Sequence, residues 1–255
     1  MNKNRMGTVS VMIVGAILLI VFLFIAYAAL DSGRPQIVLP DSGSTQEPAD
    51  PESGEGNRDL AARLEVTPSS VQNVIATLAR PEAYSQELSI TMYWSGGSGT
   101  AYVNSYVRNG AVRMDTVLPD GQWRHILRDG GQTYIWYNSD TADVYQAPTG
   151  SFSVDDELWV PTYEDLLEVA PERLAEAGYE TYLETDCIYA ATAEDGDGYA
   201  ERYWIAVDSG LLVAAERLQN GQTVYLMEAS DTTVSEPSPE LFTLPDGTAL
   251  SAAAD

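Results

Sequence analysis

Apolar positions are continuous near the start of the chain and begin to alternate with polar ones only much later. From Val9 to Leu30, a run of 22 residues, only Ser10 and Tyr27 are polar. At a helical rise of 1.5 Å per residue such a run reaches about 33 Å, enough for a hydrocarbon core of about 30 Å. Lys3 and Arg5 precede it and Asp31 follows, so the positive-inside rule places residues 1–8 in the cytoplasm. Ala26-Tyr27-Ala28 offers a small-x-small cleavage site. Secretory apolar regions run about 7–15 residues, however, and the greater length here favours an uncleaved single-pass anchor over 9–30. No cysteine lies near the segment, which excludes lipoprotein-style acylation.

Residues 31–60 lose the pattern altogether. Pro, Gly, Ser and acids dominate, with Ile37-Val38-Leu39 the apolar exception. A segment of that composition cannot bury enough apolar surface to offset its ordering entropy, and it reads as a disordered, charge-extended linker.

Periodicity returns at Thr67. Val71, Val74, Ile75 and Leu78 recur at helical spacing, with Thr67 as cap, Pro68 at the first helical position and Pro81 as terminator. From Glu87 the texture becomes alternating and β-rich. The predicted strands are 87–94, 100–108, 111–118, 122–129 and 132–138, with a short one near 142–146. Gly96-Gly97, Asn109-Gly110, Asp120-Gly121 and Gly130-Gly131 punctuate them as hairpin turns require. Residues 163–177 break the alternation: Leu166, Leu167 and Val169 predict a helical turn or two, and Pro171 restarts a helix carrying Leu174. Strands resume at 180–193, 199–207, 211–219 and 222–231. The stretch 235–250 is irregular, with Leu241-Phe242-Thr243-Leu244-Pro245 as an apolar plug.

One helix, a strand meander, a helical insertion and a second meander predict an α+β, mainly β domain over 61–250, followed by a tail at 251–255. Consecutive hairpins make one large curved antiparallel sheet, a half-barrel, and the short helices are its available cover.

Charge narrows the functions this domain serves. The chain carries 38 acids against 13 bases, a formal net charge of −25. Such a surface repels phosphate backbones, which excludes nucleic acid as a partner, and it repels anionic headgroups. Cys187 is the only cysteine, so no intrachain disulfide forms; an exported domain without disulfides suits a bacterial envelope.

Catalytic and metal readings find little support. His125, the only histidine, alternates with Trp123 and Leu127 on one strand face, without the nucleophile and orienter a general base needs. One His and one Cys are too few for zinc. Cys187 has acidic flanks in Glu184 and Asp186, and reads as a buried thiol. The carboxylates of 194–198 are too crowded for a calcium loop and read as a solvated hairpin turn. Asp155, Asp156 and Glu157 read as a solvated loop, and Glu164 and Asp165 as favourably charged helix N-terminal residues. No enzyme and no cofactor is expected.

The stretch from Tyr106 to Tyr145 shows an Arg-bearing strand (Arg113), then Pro119, an apolar strand, the turn Asp129-Gly130, and an aromatic strand with Tyr134, Trp136 and Tyr137. Asp208 and Gly210, a strand with Arg217, an Asn-Gly turn and Phe242-Thr243-Leu244-Pro245 follow in order. In these features the chain, over 67–246, resembles the bacterial LolA/LolB-like family of lipoprotein carriers and its periplasmic regulatory relatives. The resemblance implies an apolar cavity between a curved sheet and a helical lid, and a role for Arg113 in bonding that lid closed. The candidate ligand-binding residues are then Trp94, Tyr106, Arg113, Trp123, Tyr134 and Trp136; for the aromatics among them the competing role is core packing. The family's carriers are soluble or lipid-anchored, and a chain held by a transmembrane helix cannot shuttle. The functional expectation is a membrane-tethered extracytoplasmic domain that binds a lipid, a lipoprotein acyl chain or an apolar segment of a partner. The alternative is an envelope regulatory or protein-interaction module without a lipid ligand.

Overall fold

The computed structural model of the protein describes residues 55–118, 121–138, 143–152 and 158–253. The predicted span over 9–30, the linker up to residue 54, Pro119, and the acids at 155–157 lie outside the described residues. Among the described residues, no helix is long and apolar enough to cross a membrane.

The core is one antiparallel sheet of 11 strands. A first meander runs β1 (Tyr84–Trp94), β2 (Gly97–Arg108), β3 (Ala111–Val117), β4 (Trp123–Asp129), β5 (Gln132–Tyr137) and β6 (Tyr145–Pro148). A second runs β7 (Leu174–Tyr182), β8 (Thr185–Thr192), β9 (Tyr199–Ala206), β10 (Leu212–Gln219) and β11 (Gln222–Thr233). The spatial order is β6-β5-β4-β3-β2-β1-β11-β10-β9-β8-β7. The first strand therefore pairs with the last in the middle of the sheet, from Ser85 opposite Thr233 to Met92 opposite Tyr225.

Strand alternation sends one set of residues to each face. Leu88, Ile90, Val103, Met114, Ile126 and Ile135, with Ile188, Tyr203, Ile205, Ala215 and Met227, form the larger buried cluster. Three helices supply its other residues or lie beside it: α1 (Glu55–Ala61), α2 (Val71–Thr77) and α3 (Tyr163–Glu168). Val71, Val74 and Ile75 of α2 and Leu166 of α3 are buried against the sheet. Helix α1 begins inside the stretch read as linker. Its Asn57 is buried, accepts from the Ala79 amide at 2.8 Å and donates to the Asp208 carbonyl at 2.9 Å.

Three local expectations are corrected. Helix α2 starts at Val71 rather than at Pro68, because Thr67 and Ser70 bond each other and the intervening backbone forms a turn; the Ser70 hydroxyl donates to the Glu65 carbonyl at 2.9 Å. Pro171 starts only a three-residue 3-10 turn, and Leu174 opens β7 rather than continuing a helix. The predicted strand 180–193 is two strands: Leu183 and Glu184 both take positive φ, 46° and 61°, and turn the chain between β7 and β8. A two-residue turn of that kind ordinarily uses Gly, Asn or Asp, so no composition signal marked it.

Candidate functional site

Each face of the sheet has its own cover, and the two are built differently. Over the larger cluster runs a strap, residues 158–170, formed by Leu158-Trp159-Val160-Pro161 and helix α3. A capping box starts that helix: the Thr162 amide donates to Asp165 Oδ2 at 2.7 Å. Its carbonyl end is held from below by Gln72 of α2, whose amide donates to Leu166 O at 2.9 Å and Val169 O at 2.7 Å. The Arg80 guanidinium lies 3.6 Å from the centre of the Tyr163 ring, donates to Gly210 O at 3.0 Å and to Ile75 O at 2.7 Å, and so ties strap, α2 and the β9–β10 turn together. Glycine is required at 210: φ is +67°, and a Cβ there would stand 2.9 Å from Arg80 Cγ and 3.0 Å from the Ala79 carbonyl.

The other end of the strap rests on polar and aromatic contacts. Tyr225 donates its hydroxyl to Trp159 O at 2.8 Å, and the two rings sit 4.9 Å apart. Arg217 stacks 4.3 Å over the Trp159 indole and bonds Glu201 at 2.7 Å, while Tyr203 donates to the same carboxylate at 3.0 Å. Burial pushes the Tyr203 and Tyr225 hydroxyls well above the usual phenol range, so both remain donors at any ordinary pH. Between strap and sheet lies a cavity of about 110 Å³, lined by Leu88, Val107, Val112 and Met114 of the sheet and by Val160 and Tyr163 of the strap, among others. Pockets that take drug-sized ligands are about 300–1,000 Å³, so the space beneath the strap is mostly filled by the protein's own side chains.

The opposite face of β2–β5 carries Tyr106, Arg113, Asp115, Trp123, His125, Leu127, Tyr134 and Trp136. Cross-strand register places Tyr106, Arg113, Leu127 and Tyr134 in one row and Asp115, His125 and Trp136 in the next. The C-terminal segment 236–253 covers Tyr106, Leu127, Tyr134 and Trp136 and leaves Trp123 exposed. Phe242 is fully buried against Ala111, Leu127 and Trp136, with Ala252 beside it. The segment 251–253, read as a tail, is part of this cover: the Ser251 amide donates to Asp129 Oδ2 at 2.7 Å. Arg108 donates to Pro237 O at 3.0 Å.

Arg113 corrects the expectation taken from the resemblance. It faces away from the strap, donates to the Leu241 carbonyl at 2.5 Å and to Asp115 at 2.8 Å, and lies 5.4 Å from the Trp136 ring centre. It fixes the C-terminal cover, not the segment 163–177. His125 stands 2.7 Å from Asp115 and stacks between Trp123, at 6.3 Å, and Trp136, at 5.1 Å. Burial works to raise the Asp115 pKa, but the hydrogen bonds from His125 and Arg113 outweigh it and hold the carboxyl below its ordinary value.

Five of the six candidate residues thus share one sheet face; Tyr106, Arg113, Tyr134 and Trp136 meet the chain's own C-terminal segment there, and Trp123 stays exposed. Trp94 is remote from them, at the end of the β1–β2 hairpin. Trp159, Tyr225, Gln72 and Arg80, which hold the strap with Arg217, escape sequence reasoning because their partners are distant in the chain and no spacing joins them; Arg217 is marked by the resemblance, but without this role. Cys187 is buried, and burial raises its thiol pKa to about 11, which makes it inert. Asp195 accepts from the amides of Asp197 and Tyr199, an ordinary turn. Among the described residues no group of three His, Cys, Asp or Glu side chains is placed to hold a metal.

No protein-family model and no curated protein matches the chain. Solved structures do. The MucA/MucB complex of Pseudomonas aeruginosa aligns over 73% of this chain at 19% identity with a TM-score of 0.41, and this chain spans 60% of that one, under two thirds of its length. An uncharacterised conserved protein from Thermus thermophilus aligns over 76% of this chain and 95% of its own at 9% identity, TM-score 0.44. A LolA superfamily protein from Nitrosomonas europaea aligns over 75% of this chain and 97% of its own at 10% identity, TM-score 0.35. The structural neighbours thus include the superfamily that the sequence resembles.

Proposed function

We propose that the chain is a non-enzymatic, membrane-tethered domain on the outer side of a cell membrane. In this reading it takes a lipid, a lipoprotein acyl chain or an apolar segment of a partner protein between the sheet and the strap 158–170. The observation that supports this is the contrast within the strap. It covers an apolar floor with a cavity already present; Leu166 and the Gln72 hydrogen bonds fix its helical end, yet the end at Trp159 is held by one hydrogen bond from Tyr225, ring stacking and a cation–π contact with Arg217. Contacts of those kinds are worth about 0.5–1.5 kcal/mol each, so lifting residues 158–163, ahead of the fully buried Leu166, is a modest opening rather than unfolding. An acyl chain entering beneath it replaces the apolar contacts the strap gives up.

The test measures binding of an environment-sensitive acyl probe to residues 48–255, with and without Trp159→Ala. Saturable binding that strengthens in the variant is expected, because the strap competes with the ligand for the floor. A small cavity favours a second reading, the regulatory module whose floor stays filled. Absence of saturable binding in both forms removes the lipid reading in favour of that module. The tether is tested by fusing a reporter after Asp255: activity confined to the extracytoplasmic side is expected, and cytoplasmic activity overturns the orientation.

A further inference from the structure

The β1–β2 hairpin runs past the rest of the sheet. Strand β11 stops pairing with β1 at Met92, and β3 stops pairing with β2 at Tyr102, while β1 and β2 continue to pair with each other out to Trp94 opposite Gly97. The overhang, Tyr93–Trp94 of β1 and Gly97–Ala101 of β2, carries Tyr93, 40% exposed, and Trp94, 58% exposed; Met92 at its root is 44% exposed, and Tyr102, 68% exposed, lies on the adjoining sheet between Ser89 and Val117. Alternation places Met92 and Trp94 on one side of the ribbon and Tyr93, among Thr91, Ser98 and Thr100, on the other, so each side carries an aromatic ring and the Trp94 side is the more apolar. The Trp94 indole lies across Gly99, where a Cβ would stand 3.1 Å from its Cη2; glycine there lets the ring lie flat and leaves its other side open. Charge is absent in the same place. One residue in five of the chain is charged, yet none from Leu88 to Val107 is Asp, Glu, Lys or Arg.

We infer that this hairpin tip rests in the lipid headgroup layer of the membrane that carries the chain. Trp and Tyr settle at that depth because an apolar ring with a polar handle suits a boundary between hydrocarbon and water. An uncharged ribbon with an aromatic ring on each side, Trp94 on one and Tyr93 on the other, enters such a layer as a wedge. The two bare ribbon edges beyond Met92 limit the depth, since unpaired amides and carbonyls reach no partner in hydrocarbon. The acidic remainder of the domain is repelled by anionic headgroups, so a neutral tip is the part of the molecule that a membrane admits.

The chain outside the described residues permits the contact. Helix α1 bonds Asp208 at the opposite end of the strands, roughly 35 Å from the tip for an 11-residue strand. The 24 residues of 31–54 span at most about 80 Å, longer than that distance, so the length of chain between anchor and domain does not keep the tip from the membrane. This rests on the reading of 9–30 as an anchor.

The full chain reconstituted in phosphatidylcholine nanodiscs, with and without brominated acyl chains, tests it. Failure of the chain to enter the nanodiscs overturns the anchor reading, and this inference with it. Once the chain is incorporated, bromolipid is expected to quench tryptophan emission. The quenching is expected to be lost in Trp94→Ser and kept in Trp123→Phe. Tyr93→Asp retains the Trp94 reporter but places a carboxylate in the tip, and it too is expected to lose the quenching, with an unchanged thermal midpoint. No quenching in the incorporated wild type, or equal quenching in Tyr93→Asp, overturns the inference and leaves the tip as a contact for a protein.

Discussion

The two covers of this sheet make a natural pair. Both cross strands of one antiparallel sheet, and both are irregular chain with short helical turns. The C-terminal cover inserts a fully buried Phe242 into a cluster with Leu127 and Trp136, and cross-links it to the sheet through Arg108, Arg113 and Asp129. The strap sends Leu166 inward, but its Trp159 and Tyr163 stay half-buried over a cavity and its bonds are mostly to backbone carbonyls. Buried Phe242 and buried Leu166 each fix the chain around them, whereas the stacking and single hydrogen bond at Trp159 leave that end of the strap able to exchange with a competitor of the same chemistry.

Removing the buried anchor tests the contrast most strongly. Phe242→Ala is expected to lower the unfolding free energy by about 3–5 kcal/mol, read from the urea midpoint. A loss under about 1 kcal/mol would put the C-terminal cover in the same class as the strap. Arg113→Leu is expected to cost about 1.5–3 kcal/mol, since it leaves the Asp115 carboxylate without one partner and the Leu241 carbonyl without its donor. The same variant should leave acyl-probe binding unchanged, because Arg113 faces away from the strap; altered binding would join the two covers.

Trp159→Ala is expected to cost roughly 1–2 kcal/mol, the value of a half-buried ring and its cation–π contact, and to change binding rather than folding. The smallest effect concerns acid. Asp115 ionises more readily in the folded chain than its ordinary value of 3.8. Its contribution is fully present above that value and is lost as pH falls through the lower folded one. The stability difference between the wild type and Asp115→Asn should therefore shrink as pH falls below about 3.8 and through the lower folded value. A difference that grows in acid would contradict the assigned hydrogen bonds.

Much of this architecture was readable in advance where turn chemistry is explicit. Asn109-Gly110, Gly130-Gly131 and Asn220-Gly221 each close a hairpin, and all carry the positive φ that the pairs imply. The hairpin at Leu183-Glu184 was invisible because tertiary pairing of β7 with β8 imposes its backbone without a favourable residue. The apolar plug at Leu241–Pro245 was recognisable from composition, but its destination was not. Which face it covers depends on contacts with Arg113 and Leu127, far away in the chain. Alternation in Tyr134-Ile135-Trp136-Tyr137 showed two apolar faces and could not say which one lay beneath helices. That ambiguity hides from the sequence that Arg113 bonds the C-terminal cover.

Pairing β1 with β11 has a kinetic consequence. Every other strand contact joins neighbours in sequence, but this one waits until Thr233 has been made and brought back to Ser85. Until then each meander is a small sheet with a long bare edge and half a core. Loop closure over that distance must precede the contacts that reward it, which slows folding and leaves two complementary edges open to other chains. A molecule built this way is committed late. A truncation anywhere before β11 yields a sticky half-sheet, not a smaller domain.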